Sequence, residues 1–255
     1  MFIIYIETIL LSLVQGISEF IPVSSSAHLI IISQLGNFKN NSLEVDISLH
    51  LGSLAGIIFY FRSELFNILK NKNLALLVFV GSLPLVVFGF IIYQTGLISY
   101  LRDIKIIAWT TLIFGILLFY ADKFEIKKSF SYNLNLKNIL FIGLFQILAL
   151  IPGVSRSGIT ITAGRLLNFN RFDSSKIAFL LSVPALAGAS LLGLKDIWYL
   201  GFDFSMLVLF STICSFVFSY LTIKYFLIYV KKFNLTIFVI YRILLSLFLF
   251  FIIYI

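Results

Sequence analysis

The chain contains six long apolar runs, and these indicate that it folds in a lipid bilayer. A helix that crosses about 30 Å of hydrocarbon needs about 20 apolar residues. Runs close to that length occupy 45–61, 74–94, 104–121, 175–193, 204–223 and 236–255. Charged residues make up 12% of the chain, against about 25% in soluble domains. The sequence therefore predicts an all-α integral membrane protein with six transmembrane helices. It excludes a cytosolic enzyme, a secreted domain and a nucleic-acid partner.

Two further apolar regions are interrupted. Residues 2–35 break at a Pro-Val-Ser-Ser-Ser-Ala-His stretch that begins at Pro22, and residues 138–167 break at a Pro-Gly-Val-Ser-Arg-Ser-Gly stretch that begins at Pro152. Irregular backbone at membrane depth is tolerated only where it is buried in protein or lines a wet cavity. The two regions are therefore predicted to form re-entrant helical hairpins.

The two interrupted regions resemble each other. In both, a glutamine (Gln15 and Gln146) precedes an Ile-Pro pair and a cluster of serines, and three full spans follow. An odd number of spans turns the second copy upside down. We therefore expect one polytopic membrane domain over 1–255, built as an inverted repeat with halves at about 1–121 and 138–255, and a binding site near the midplane.

The distribution of charge predicts the orientation. Loops on one side carry thirteen Lys and Arg residues, whereas the other side carries Lys39, Arg102, Lys105 and Lys195. The richer side is predicted to be cytoplasmic, so the first hairpin opens to the outside. The thirteen cations lie in four predicted loops, at 62–73, 122–137, 165–176 and 224–235.

Gln15 and Glu19 carry the first candidate chemistry. They are four residues apart, so on a helix they share a face. A carboxylate within the bilayer costs about 2.5–3.5 kcal/mol on insertion scales. Glu19 therefore requires a partner, which could be a cation, a metal ion or a proton.

The polar residues after Pro22 offer further groups. Ser24, Ser25 and Ser26 could supply a nucleophile or hydroxyls that bind phosphate, and His28 a general base or acid. The structural alternative is a serine-rich helix start, with one serine as the N-cap and His28 as a core residue.

The second interruption supplies a fixed cation. Arg156 stands between Ser155 and Ser157, and a guanidinium fits phosphate oxygens bidentately. The short helix that follows would direct its N-terminal amides to the same place. The alternative is that Arg156 extends to the cytoplasmic surface. Glu7 and Arg242, in apolar helices, are expected to form structural ion pairs.

Two motifs resemble one known family. Gln15 to Glu19 matches a Glu/Gln-x-x-x-Glu motif, and Pro152 to Thr160 matches Pro-Gly-x-Ser-Arg-Ser-Gly-x-Thr without a departure. On these motifs the chain resembles the bacterial undecaprenyl-diphosphate phosphatase, or bacitracin-resistance protein, family. Gln15 stands where many members have Glu, which leaves metal binding more dependent on Glu19.

The resemblance implies an integral membrane phosphatase that converts undecaprenyl diphosphate to undecaprenyl phosphate and inorganic phosphate. It also implies a divalent cation, Mg²⁺ or Ca²⁺, a site open to the periplasmic side of the bacterial inner membrane, and a possible homodimer. A transporter or flippase of polyprenyl phosphate lipid is the alternative, because inverted repeats with broken helices also build transporters.

The candidate residues follow from both arguments. Ser25 is the expected nucleophile with His28 as its base, and a metal-positioned water is the competing nucleophile. The expected catalytic residues are Glu19, Ser25, His28 and Arg156; the substrate-binding residues are Gln15, Ser24, Ser26, Gly153, Ser155, Ser157 and Thr160; the metal ligands are Glu19 and Gln15.

Overall fold

Every regular element is helical in the part of the chain that this computed structural model describes, residues 2–35, 43–200 and 206–254. A short 3-10 helix (Leu148–Leu150) follows α9. The α-helices are α1 Phe2–Ser18, α2 Ser25–Leu35, α3 Leu43–Tyr60, α4 Arg62–Lys70, α5 Lys72–Thr95, α6 Ile98–Leu101, α7 Ile104–Asp122, α8 Phe130–Asn133, α9 Leu136–Ile147, α10 Arg156–Leu166, α11 Arg171–Leu200, α12 Met206–Lys232 and α13 Thr236–Tyr254.

The six predicted spans are confirmed. Six helices in the described ranges are long and apolar enough to cross a membrane, namely α3, α5, α7, α11, α12 and α13. The chain is therefore a multi-pass membrane protein. Lys39 and the first residues of the run at 204–223 lie outside the described residues.

Three of the predicted loops are largely helical, so those assignments were wrong. Residues 62–70 form α4, α11 already begins at Arg171, and α12 continues through Lys224 to Lys232. Charged residues end the apolar part of a span, but they do not end the helix. The helix can continue into water because its backbone hydrogen bonds are made within the segment.

One predicted loop cation is also buried. Arg165 is 1% exposed at the end of α10, where its Nε lies 3.6 Å from Asp122. Arg171 donates from its Nε to the same carboxylate at 2.6 Å. Asp122 also accepts from the backbone N–H of Leu235 at 3.0 Å. This cluster joins the ends of α7 and α10 to the starts of α11 and α13.

The spans pack in pairs, with α12 along α3 and α13 along α7. Small residues let α12 approach α3 closely, and their hydroxyls bond across the interface. Ser219 donates to Ser53 at 3.0 Å, and Ser215 donates to the carbonyl of Leu49 at 2.6 Å. Hydroxyls in such contacts stabilise helix pairs in membranes.

The two interrupted regions have matching turns. In the first, α1 ends at Ser18 and α2 begins at Ser25; in the second, α10 begins at Arg156. The residue before each new helix has a positive φ, 83° at Ser24 and 70° at Ser155. These two serines are separated by the same number of residues as Gln15 and Gln146. The matched turns accord with the predicted repeat, whose inverted arrangement and re-entrant path stay predictions.

Candidate active site

The carboxylate of Glu19 joins the two interrupted regions. Arg156 donates from Nη2 to Oε1 at 2.6 Å, and Ser25 donates to Oε2 at 2.5 Å. Gln15 donates from Nε2 to Oε2 at 3.1 Å. Glu19 is 7% exposed. The expected partner of this carboxylate was a cation, a metal ion or a proton, and the structure supplies a cation, Arg156. Because Arg156 is paired there, it does not extend to the membrane surface.

The turns direct two helix N-termini to this carboxylate. Ser25 and Arg156 are the first residues of α2 and α10, and both contact Glu19. Ser155 caps α10 by accepting from the backbone N–H of Gly158 at 3.1 Å. The partial positive charge of a helix N-terminus favours anions. The position between the two helices is therefore electrostatically suited to phosphate.

Two buried polar atoms beside Glu19 have no hydrogen-bond partner among the described residues. They are Oε1 of Gln15 and Nη1 of Arg156. Leaving such a group unsatisfied costs about 1–3 kcal/mol. One is an acceptor and the other a charged donor, so the site is complementary to a cation on one side and to an anionic oxygen on the other.

Among the described residues, His28 forms no hydrogen bond with Ser25. Its Nδ1 lies 2.6 Å from the carbonyl oxygen of Ser24, and its Nε2 lies 2.5 Å from the hydroxyl of Tyr241. A carbonyl oxygen can only accept, so Nδ1 carries a proton, and Nε2 accepts from the Tyr241 hydroxyl when the ring is neutral. The role of His28 as the base for Ser25 stays a prediction, and the group in contact with the Ser25 hydroxyl is Glu19.

The remaining candidate hydroxyls hold the turns together. Ser24 lies 3.3 Å from Ser26, and Ser155 lies 3.2 Å from Ser157, at equivalent places. Ser157 also donates to the carbonyl of Ile21 at 2.8 Å. These bonds connect the first turn with the second.

Gly153 and Thr160 form hydrogen bonds with residues of the two interrupted regions. The N–H of Gly153, at φ 91°, donates to Ser24 at 3.3 Å. Thr160 donates to the carbonyl of Arg156 at 2.6 Å and lies 3.5 Å from Gln146. Their contacts support the turns, and their roles toward substrate stay predictions.

Two residues near the site were not among the sequence candidates. Tyr241 and Arg242 of α13 contact His28 and the turns, respectively. An arginine within an apolar span is itself a signal of function, which could have identified Arg242. Its expected ion pair is wrong, because within the described residues its hydrogen bonds go to carbonyl oxygens.

A divalent cation is compatible with the oxygen atoms at the site. The unpartnered Oε1 of Gln15 and the carboxylate of Glu19 are hard oxygen donors of the kind that Mg²⁺ and Ca²⁺ prefer. No cluster of three or more His, Cys, Asp and Glu suited to a metal occurs in the described ranges. Protein ligands alone are therefore few, and a phosphate substrate would have to complete the coordination.

Comparisons with known proteins give a matching family model and a similar curated protein. The family model described as bacitracin resistance protein BacA matches residues 8–248. A protein described as undecaprenyl-diphosphatase, from Pelagibacter ubique (strain HTCC1062), is 60% identical to this chain over 250 residues, which cover 98% of each protein.

Proposed function

The chain belongs to the bacitracin resistance protein BacA family, and from this membership and the site we infer that it is an undecaprenyl-diphosphatase. It is an enzyme of the membrane that hydrolyses undecaprenyl diphosphate to undecaprenyl phosphate and inorganic phosphate. This reaction recycles the lipid carrier used in cell-wall synthesis, and it underlies bacitracin resistance in this family.

The observation that carries this proposal is the pair of unpartnered atoms on the two sides of Glu19. Nη1 of Arg156 can donate to a phosphate oxygen while Nη2 stays on Glu19. The N-termini of α2 and α10 add positive potential at the same position. A diphosphate would satisfy the donor, and its lipid tail would lie along the apolar outer faces of the spans.

In the proposed reaction, Ser25 attacks the terminal phosphorus. Its proton passes to Oε2 of Glu19, with which the hydroxyl is already hydrogen-bonded. The bond from that phosphorus to the bridging oxygen breaks, and undecaprenyl phosphate leaves. Water then hydrolyses the phosphoserine, which releases inorganic phosphate and returns the proton to Ser25. Direct attack by water, with Glu19 or His28 as base, is the competing route.

Arg156 stabilises the charge on the transferred phosphoryl group. Glu19 holds this guanidinium in place, and Gln15 orients the carboxylate. Glu19 and Oε1 of Gln15 are the atoms proposed to hold Mg²⁺ or Ca²⁺. The ion, when bound, supplies positive charge that neutralises phosphate oxygens.

The proposed location is the bacterial inner membrane, with the site open to the periplasm. The support is the count of thirteen cations on the predicted cytoplasmic side against four on the side where the site would open. Two of the thirteen, Arg165 and Arg171, are paired with Asp122. A homodimer remains part of the proposal on family resemblance alone.

The test is phosphate release from undecaprenyl diphosphate by the detergent-purified protein. We expect release that EDTA abolishes, that Mg²⁺ or Ca²⁺ restores, and that Arg156→Ala lowers at least ~10²-fold. Arg62→Ala is the matched control, since Arg62 is exposed on α4 and donates to the carbonyl of Phe59 at 3.0 Å.

Absence of release from folded protein supplied with metal would contradict the phosphatase and favour a lipid transporter. Proteoliposomes with labelled undecaprenyl phosphate in one leaflet separate the two functions. A transporter moves the label without releasing phosphate.

A further inference from the structure

Arg242 is buried in the last described helix, α13, and every hydrogen bond of its guanidinium within the described residues goes to a carbonyl oxygen. It is fully shielded from solvent. Nη1 lies 3.2 Å from the carbonyl of Pro22 and 3.1 Å from that of Val154. Nη2 lies 2.8 Å from the carbonyl of Gly153, and Nε lies 3.2 Å from that of Thr111. One side chain therefore holds both turns and joins them to α7.

No carboxylate lies within ion-pair distance of Arg242 among the described residues. In this part of the chain, the groups that face its charge are the carbonyls with their partial negative charges. Charges at membrane depth are costly and usually serve a site or a pathway. Packing α13 against α7 does not by itself require a guanidinium, because an apolar side chain would fill the space at lower cost.

Three of the four carbonyls that Arg242 holds lie two or three residues before the groups that contact Glu19. Val154 precedes Ser155, and Pro22 lies two residues before Ser24. Both serines have positive φ, a conformation that L-residues adopt only when their surroundings enforce it. Ser25 and Arg156 follow them, so a displaced turn displaces one of these two groups.

The neighbouring glycines leave space for this side chain. A Cβ added at Gly115 would lie 3.1 Å from Cβ of Arg242 and 3.4 Å from its Nε. A Cβ at Gly158 would lie 3.3 Å from Nη1. The position of the guanidinium is thus fixed by close contact as well as by hydrogen bonds.

We propose that Arg242 is a positioning residue of the phosphatase site, which sets the two turns against each other so that Ser25 and Arg156 meet at Glu19. The proposal rests on the proposed function for the reaction that these groups perform. Arg242 itself does not touch the reacting atoms. Its five fixed donors suit it to four carbonyls, which an ammonium group with three donors at a single point cannot reproduce.

The kinetic test compares Arg242→Lys with Arg242→Gln. A misplacement of about 1 Å can cost about 10²-fold in rate. We expect Arg242→Lys to lower kcat at least ~10²-fold and to change KM less than ~3-fold, because the charge remains while the alignment is lost. Arg242→Gln should lower kcat and also raise KM. A folded Arg242→Lys protein with kcat within ~3-fold of the parent overturns the proposal.

A second variant moves Arg242 without removing it. Gly115→Ala places a methyl group against its side chain, and we expect kcat to fall ~5-fold or more with KM unchanged. Gly188→Ala is the matched control, since a Cβ there meets nothing within 4 Å, and its kcat should be unchanged. Equal kcat in the two alanine variants contradicts the proposal even if both Arg242 variants fail to fold.

A third measurement does not depend on activity. Hydrogen exchange followed by mass spectrometry reports the amides of residues 19–24 and 152–158. We expect Arg242→Lys and Gly115→Ala to speed exchange in both segments together, while Gly188→Ala leaves both unchanged. Faster exchange in neither or only one segment overturns the positioning role. If the parent protein releases no phosphate, the proposed function fails, and this readout still decides whether Arg242 couples the turns.

Discussion

Glu19 shows how a buried carboxylate is accommodated in this chain. Its two oxygens accept from Arg156, Ser25 and Gln15, so the charge is paired and three of its roughly four acceptor positions are occupied. Breaking such a buried pair by removing one partner is far more costly than keeping it. The same contacts make the site sensitive to single substitutions, because each partner also orients the others.

The hydroxyl of Ser25 is the one of the three adjacent serines that contacts Glu19, so Ser25→Ala tests the covalent route. We expect phosphate release to fall at least ~10²-fold, because the variant has no oxygen to accept the phosphoryl group. Ser82→Ala is the control, since Ser82 only donates to the carbonyl of Val78 in its own helix. Release from Ser25→Ala within ~3-fold of the parent would exclude Ser25 and support direct attack by water.

Glu19 and Arg156 could be predicted as site residues because a charge in an apolar setting needs a partner. The partners of His28 could not be predicted, since the Tyr241 hydroxyl comes from a helix more than two hundred residues away. The carbonyl groups that accept hydrogen bonds from Arg242 could not be predicted from the sequence either. A carbonyl belongs to every residue, so no side-chain pattern marks which ones converge.

At the scale of the helix, the close packing of α3 against α12 depends on Gly52, which has no side chain. A Cβ added at Gly52 would meet the carbonyl of Thr212 and would lie 2.7 Å from Cβ of Ser215. We expect Gly52→Ala to lower the free energy of unfolding by about 1–3 kcal/mol, because the helices must separate. Unfolding in detergent micelles measures this, with Gly188→Ala as the control. Equal stability of the two variants would mean that the interface adapts.

The six spans could be predicted because hydrocarbon thickness fixes their length and burial in lipid fixes their composition. The ends of the helices could not be predicted in this way. For example, α12 continues beyond its apolar part as far as Lys232. The turns at Ser24 and Ser155 were located by Pro and polar residues. Their positive φ values come from tertiary bonds, which the local sequence does not record.

At the scale of the whole molecule, the charge bias predicts which ends of the spans face the cytoplasm. Cysteine labelling in vesicles tests it, after Cys214→Ala removes the native thiol. Glu125→Cys, in the exposed loop after α7, should react with an impermeant maleimide only from the cytoplasmic side. Tyr100→Cys, exposed before α7, should react only from outside. The reverse pattern would invert the proposed orientation, and phosphate release should persist in both variants.

Arg242 bonds to residues that lie far before it in the sequence, and this has a consequence during synthesis. It holds the carbonyl of a residue 220 positions earlier and that of another 88 positions earlier. While a ribosome is still producing α11 and α12, neither turn has this partner, although α1, α2 and α10 already exist. The hydrolytic centre therefore matures only after α13 has entered the membrane. A nascent chain stalled before that point can be inserted and helical and still have no working centre.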